Sequence, residues 1–188
     1  MTGSSQPCSL PQAGGDSPDS LVLLNTGNGK GKSTAALGVV LRALALGWPA
    51  CMVQFLKSEG WSAGEEVICR RLGVTWIKGG DAFTWDSANT GASRDRAVAT
   101  WVRAREALSC GECRLVVLDE LTYPIAFGWI GAEAVVQAIR SRARGVNVIA
   151  TGRGAPACLV DIADTVTEMV SIRHPLERGI YAQAGIDF

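Results

Sequence analysis

The stretch LVLLNTGNGKGKSTAALGVVLRALALG, residues 21–47, limits the fold more than any other part of the chain. Its first residues, LVLLN (21–25), form a short apolar run that stops at the glycine-rich loop, which suits a strand covered on both faces. A turn with glycine at 27, 29 and 31 follows. Thr34 to Leu46 then carries apolar residues on nearly every side before Gly47, the pattern of a well-buried helix closed by a glycine. A buried strand that passes through a tight turn into a buried helix is the opening of a βαβ unit, whose helix must pack back onto a parallel sheet.

The same alternation continues. Ala50–Phe55, Val74–Ile77, Leu115–Leu118 and the run VNVIAT are short apolar strands, and TVTEMVSI (165–172) alternates as a last strand suited to an edge. Helices are predicted over Glu65–Leu72, over Arg94–Leu108 with Ser93 as its cap, over Ala132–Arg144 and over Ala157–Ile162. A long loop containing DAFTWDSANTGAS separates the third strand from the next helix. There is no internal repeat. Residues 1–20, rich in Ser, Gly, Pro and Asp without apolar periodicity, are expected to be a disordered tail, and 21–188 one domain. The expected fold is α/β, a mostly parallel sheet with helices on both faces. In such sheets the site lies beyond the carboxyl ends of the strands. The unusual polar residues stand there: the Thr26 loop, Gln54 and Lys57, Asp119 and Glu120, and Arg153.

Composition narrows the function. Eighteen basic and eighteen acidic residues cancel, so there is no overall basic footprint for nucleic acid. No apolar run approaches the ~18 residues of a spanning helix, and the N-terminus lacks the basic-then-apolar order of a secretory signal. A cytoplasmic protein without membrane or nucleic-acid partners is expected. The six cysteines (8, 51, 69, 110, 113, 158) are scattered through a chain large and apolar enough to fold without disulfides. Cys110 and Cys113 form one C-x-x-C, which without a second pair reads as a turn rather than a zinc site.

The glycine turn carries chemistry. Between a strand and a helix N-terminus it aims backbone N–H groups and the positive end of the helix at an anion. Gly27, Gly29 and Gly31 allow φ > 0 and close approach. Lys32 supplies a point charge, and the Ser33 hydroxyl is placed for Mg²⁺. The complementary strand, VVLDE, ends in Asp119 and Glu120, as the metal-holding strand of a P-loop nucleotide site does. Loop, helix and acidic strand in this order indicate a P-loop NTPase-like, RecA-like nucleotide-binding domain. Lys30 adds a second lysine, either at the solvated rim or, with Lys32, Arg153 and a divalent cation, serving a highly charged phosphate product. The loop departs from the usual G-x-x-x-x-G-K-[ST] at its first position, where Thr26 replaces glycine.

TGNGKGKST, QFLK (54–57), AFTW (82–85), VVLDELTYPIAFGWI (116–130), TGRG (151–154), Ala163–Asp164 and the terminal HPLERGIYAQAGIDF together resemble the ATP:corrinoid adenosyltransferases of the CobA/CobO/BtuR type, from about Leu21 to Phe188. The resemblance implies transfer of the 5′-deoxyadenosyl group of ATP to the Co(I) centre of a corrinoid, with inorganic triphosphate as the leaving group. It also implies a nucleotide turned about in the loop, so that the loop grips the departing triphosphate. Thr26 fits a shorter phosphate cradle. Gly27, Asn28, Gly29, Lys30, Gly31, Lys32 and Ser33 match the ATP loop. By the same resemblance, Ser33 and Glu120, with Asp119, are expected to organise Mg²⁺ or Mn²⁺ around the phosphates. Phe83 and Trp85, which without the resemblance read as a core pair, match aromatics that press on the corrinoid and help displace its lower ligand. Lys32, Phe83, Trp85 and Glu120 are the expected catalytic group. A reduced flavoprotein donor and a homodimer are also implied.

Arg153 suits a phosphate by position, or equally an anchoring carboxylate. His174 has no partner histidine and reads as structural. The N-terminus lacks the charged helical arm of enterobacterial members, GAPACLVDI replaces a more polar stretch after TGRG, and Phe188 stands where tyrosine is common. Other readings compatible with the residues are an ordinary P-loop ATPase or small-molecule kinase, and a corrinoid- or nucleotide-binding carrier without turnover.

Overall fold

The computed structural model describes residues 19–56, 64–79 and 90–186. Lys57, Phe83, Trp85, Phe188 and residues 1–18 of the tail lie outside them. Six strands, β1 (Val22–Thr26), β2 (Ala50–Gln54), β3 (Thr75–Lys78), β4 (Leu115–Asp119), β5 (Asn147–Thr151) and β6 (Thr165–Glu168), form one sheet in the order β3-β2-β4-β5-β1-β6. Every pairing is parallel, so the mostly parallel expectation resolves to a wholly parallel sheet.

Alternation along each strand divides the core in two. Met52, Leu115, Val117 and Ile149 face α1 (Lys32–Ala45) and α2 (Gly64–Arg71), packing with Ala36, Val40 and Cys69. Cys51, Val53, Val116, Leu118, Val148 and Ala150 face the other way. They pack with Trp101 and Ala104 of α3 (Thr90–Ser109), Val135 and Ile139 of α5 (Ala132–Arg140) and Leu159 of α6 (Ala157–Val160). The central strands are therefore buried on both sides, which is why they read as unbroken apolar runs. β6 is an edge strand, exposed at all four positions, as its alternation suggested.

Some boundaries differ from the sequence reading, each for a local reason. α1 begins at Lys32, two residues early, because the glycine turn ends at Gly31 with φ 108° and the next residue is already helical. α3 starts at Thr90, so Ser93 lies within the helix and is not its cap. α5 stops at Arg140, four residues short of the expected Arg144. There Arg142 ends the helix with its own side chain, donating to the carbonyls of Ile139 (2.8 Å) and Val146 (2.7 Å). Its guanidinium also reaches the Ser20 hydroxyl at 3.0 Å, and Arg144 pairs with Asp19, so the last two residues assigned to the tail are tied to the domain. A one-turn helix, α4 (Thr122–Ala126), escaped the sequence reading. Pro124 sits in its first turn, where no N–H is needed.

Candidate active site

The carboxyl ends of β1, β2, β4 and β5 bring the Thr26 loop, Gln54, Asp119, Glu120 and Arg153 to one edge of the sheet, while the predicted Lys57, Phe83 and Trp85 lie outside the described residues. A cavity of 540 Å³ there is lined by Gly29, Lys30, Gly31, Lys32, Ser33, Glu120 and Arg153, among others. Gly27 lies behind this wall, at the start of the loop.

The loop is built against the continuation of β6. The Gly29 N–H donates to Met169 O at 2.6 Å, and Met169 N–H to Thr26 O at 2.8 Å. A Cβ on Gly27 would stand 2.5 Å from Met169 O, and one on Gly29 2.8 Å from the Val170 backbone. Glycine is required at both positions by contact, and at Gly27 also by φ 91°. The first half of the loop thus spends a backbone donor on the protein itself. Thr26 is the last residue of β1, and its hydroxyl accepts from Ala155 N–H at 3.3 Å, tying the loop to the segment after TGRG. A glycine there would lose that tie.

Lys32 closes the loop on itself. Its Nζ donates to Gly27 O at 2.8 Å and to Gly29 O at 2.6 Å. Burial holds its pKa below the ordinary value, and the Arg153 charge lowers it further, against the opposing pull of Glu120 and Asp119. Asn25 Nδ2 donates to Lys32 O at 3.2 Å and fixes the first turn of α1.

Asp119 is fully buried and fully engaged. Its Oδ1 accepts from the hydroxyls of Ser33 and Thr151, both at 2.7 Å, and its Oδ2 from Gln54 Nε2 at 3.1 Å. Gln54 is oriented in turn by the Trp76 indole N–H, which donates to its Oε1 at 3.0 Å. Glu120 follows with φ 61°, the one non-glycine residue at positive φ among those described. Its N–H donates to Thr151 Oγ1 at 3.0 Å. Strain of this kind concentrates at sites where it turns a side chain in a direction regular structure would not. Arg153 is positioned through its backbone, Thr122 Oγ1 donating to Arg153 O at 2.7 Å. A Cβ on Gly152 would fall 2.0 Å from that hydroxyl. Arg153 lines the cavity with Lys32, Ser33 and Glu120.

Sequence reading gave no role to Thr151, Thr122 or Trp76, and it placed Gln54 only among the polar residues at the carboxyl end of the second strand. Gln54 is 3% exposed and lies beneath the carboxylates. The available signal was polarity at a strand end, since a Thr or Gln closing an otherwise apolar buried strand needs a partner. His174 serves as the cap of the 3₁₀ turn Pro175–Arg178, its Nδ1 accepting from Leu176 N–H. Away from the site, the neighbouring Cys51 thiol brings the Cys113 pKa down to about 7 against the effect of burial. The same contact, together with burial, pushes Cys51 up.

Comparison with known proteins finds likenesses in fold and in sequence. The solved structure of the flagellar accessory protein FlaH from Methanocaldococcus jannaschii superposes with a TM-score of 0.53 over 80% of this chain and 71% of that one, at 11% identity, a likeness of fold alone. The corrinoid adenosyltransferase of Escherichia coli K12 is 38% identical over 168 residues, 89% of this chain and 85% of that protein. The corrinoid adenosyltransferase CobA of Salmonella typhimurium is 38% identical over the same shares. The corrinoid adenosyltransferase of Pseudomonas aeruginosa is 39% identical over 170 residues, 89% of this chain and 83% of that protein. The family model described as ATP:corrinoid adenosyltransferase BtuR/CobO/CobP matches residues 19–188, and with the loop, the acidic strand and the TGRG turn converging on one cavity, the chain belongs to that family.

Proposed function

We propose that this protein transfers the 5′-deoxyadenosyl group of ATP to the cobalt of a reduced corrinoid and releases triphosphate. The observation that carries the reading is the junction of Lys32, Ser33, Glu120 and Arg153 on one 540 Å³ cavity at the N-terminus of α1. In the reaction Co(I) supplies both electrons of the new cobalt–carbon bond. The C5′–O bond breaks, its electron pair leaves with the triphosphate, and cobalt ends as Co(III). The protein's task is to hold the sugar carbon in line and to stabilise the charge gathering on the leaving group.

Lys32, Arg153 and the α1 N-terminus supply positive charge and N–H donors for that group. Because Ser33 donates its proton to Asp119, its oxygen keeps lone pairs for a cation. Hydroxyl and carboxylate oxygens are the hard donors Mg²⁺ or Mn²⁺ accepts, with phosphate oxygens and water completing the shell. Ser33 and Glu120 would hold the ion, which when bound supplies charge neutralisation to the phosphates. Lys30 belongs to the same cationic rim. Phe83 and Trp85 are assigned the corrinoid, where a dry aromatic wall excludes water and a competing axial donor. A cytoplasmic homodimer served by a reduced flavoprotein completes the proposal. Among the described residues no helix is long and apolar enough to cross a membrane.

The test is incubation with ATP, Mg²⁺ and chemically reduced cobalamin, followed by absorbance. A light-sensitive organocobalt product, absent without ATP, is the expected result. Corrinoid bound without any product would leave only a carrier.

A further inference from the structure

The ends of β4 and β5 are joined by one buried hydroxyl. Thr151, 1% exposed, donates its only hydroxyl proton to Asp119 Oδ1 at 2.7 Å and accepts the N–H of Glu120 at 3.0 Å. This single group therefore fixes the orientation of one carboxylate and the strained backbone, φ 61°, that presents the other. The direction of each bond follows from its partners: the backbone N–H can only donate, which leaves the hydroxyl proton for the Asp119 carboxylate oxygen. Gln54 completes the arrangement from β2, its amide donating to Asp119 Oδ2 while its carbonyl is held by Trp76. Asp119 then receives Ser33, Thr151 and Gln54 together and is 0% exposed.

We propose that Thr151, with Gln54 behind it, is the positioning residue of the metal–phosphate site. It commits Asp119 to orienting Ser33 and turns Glu120 toward the phosphates, so that Asp119 acts through Ser33 and not as a direct ligand. The sequence places Asp119 and Glu120 side by side as equivalent acids, and the hydrogen bonds give them different tasks. The proposal rests on the adenosyltransferase reading only for the identity of the phosphate ligand. Outer partners of metal ligands typically change metal affinity or activity by about 10–100-fold.

Thr151→Val is the discriminating variant, since it keeps the shape while removing both the donor to Asp119 and the acceptor for Glu120. Thr151→Ser keeps the hydroxyl. The primary readout is binding of Mn²⁺ in the presence of inorganic triphosphate, followed by the loss of the free-ion electron paramagnetic resonance signal, which needs neither corrinoid nor turnover. Thr151→Val is expected to weaken that binding about 10–100-fold, and Thr151→Ser to restore it to within about threefold of the parent. Thr151→Cys, of similar shape with a weak donor, is expected between them, and serves if the valine variant does not fold. Parent-like Mn²⁺–triphosphate affinity in a folded Thr151→Val or Thr151→Cys protein, with only its melting temperature lowered, would overturn the proposal. Parent protein that binds Mn²⁺–triphosphate but forms no adenosylated corrinoid would refute the functional reading instead, and the variant series would still decide the role of Thr151.

Discussion

Replacing Lys32 by methionine removes a charge while keeping the length of the stem. The Lys32 Nζ bridges the carbonyls of Gly27 and Gly29. The same ammonium lies on the wall of the cavity proposed for the triphosphate. Two unit charges about 4 Å apart at an effective dielectric of ~20 interact by about 4 kcal/mol. Screening in an open cavity trims this to roughly 3–4 kcal/mol, or about 10²–10³-fold in kcat/KM at ~1.4 kcal/mol per tenfold. The assay is initial-rate formation of adenosylated corrinoid with Co(I) supplied chemically and ATP varied. Lys32→Arg should recover little, because a planar fork does not reproduce a compact ammonium between two carbonyls. The depressed pKa of Lys32 adds a second signature. The folded state binds this proton less tightly than the unfolded chain, so stability of the ligand-free protein rises as pH climbs from the depressed value towards 10.5. Triphosphate needs the charged form, so its affinity falls over the same interval. Lys32→Met should abolish both trends. A methionine variant with parental kcat/KM, or one that retains the alkaline loss of triphosphate affinity, would refute the electrostatic argument.

Four further outcomes follow from particular contacts. Glu120→Gly should melt higher than Glu120→Ala, because glycine relieves about 1 kcal/mol of positive-φ strain that alanine keeps, while adenosylation is lost in both; an alanine variant as stable as the glycine one would show that the φ of 61° carries no cost. Gly27→Ala should cut triphosphate binding by more than tenfold, since the new methyl meets Met169 O at 2.5 Å, and calorimetry measures it. Burial raises the Glu66 pKa, but hydrogen bonds from Lys78 and Arg70 together with their charges leave it below 4.5; its stabilisation is therefore present above that value and lost as pH falls through the lower folded one, and Glu66→Gln should flatten acid unfolding curves in that window. Phe83→Ala and Trp85→Ala should slow adenosylation starting from Co(II) far more than adenosylation supplied with Co(I), and equal losses in the two assays would contradict their assignment to the reduction step.

Much of this was legible in the sequence because the relevant signals are local. A strand buried on both faces has no polar alternation, and a glycine–lysine turn leading into a helix is contiguous, so β1, the loop and α1 were readable within two residues. The acidic end of β4 was readable for the same reason. Long-range contacts were not. Nothing near Thr151 in the chain indicates that its hydroxyl meets Asp119, 32 residues away, or that Met169 closes the back of a loop that begins at Thr26. Pro124 hid α4, since proline reads as a breaker unless its place in the first turn is known. Arg142 ended α5 early through side-chain bonds that no propensity encodes.

The bond that breaks in ATP is the central claim, and labelling tests it directly. With ¹⁸O placed at the bridge between C5′ and the α-phosphorus, attack by cobalt on C5′ must carry the label away on the phosphate product. Triphosphate bearing one ¹⁸O, formed in equal amount with the cobalt–carbon product and only when reduced corrinoid is present, is the result expected from mass spectrometry and ³¹P resonance. ADP and orthophosphate released at the same rate with or without corrinoid would contradict it.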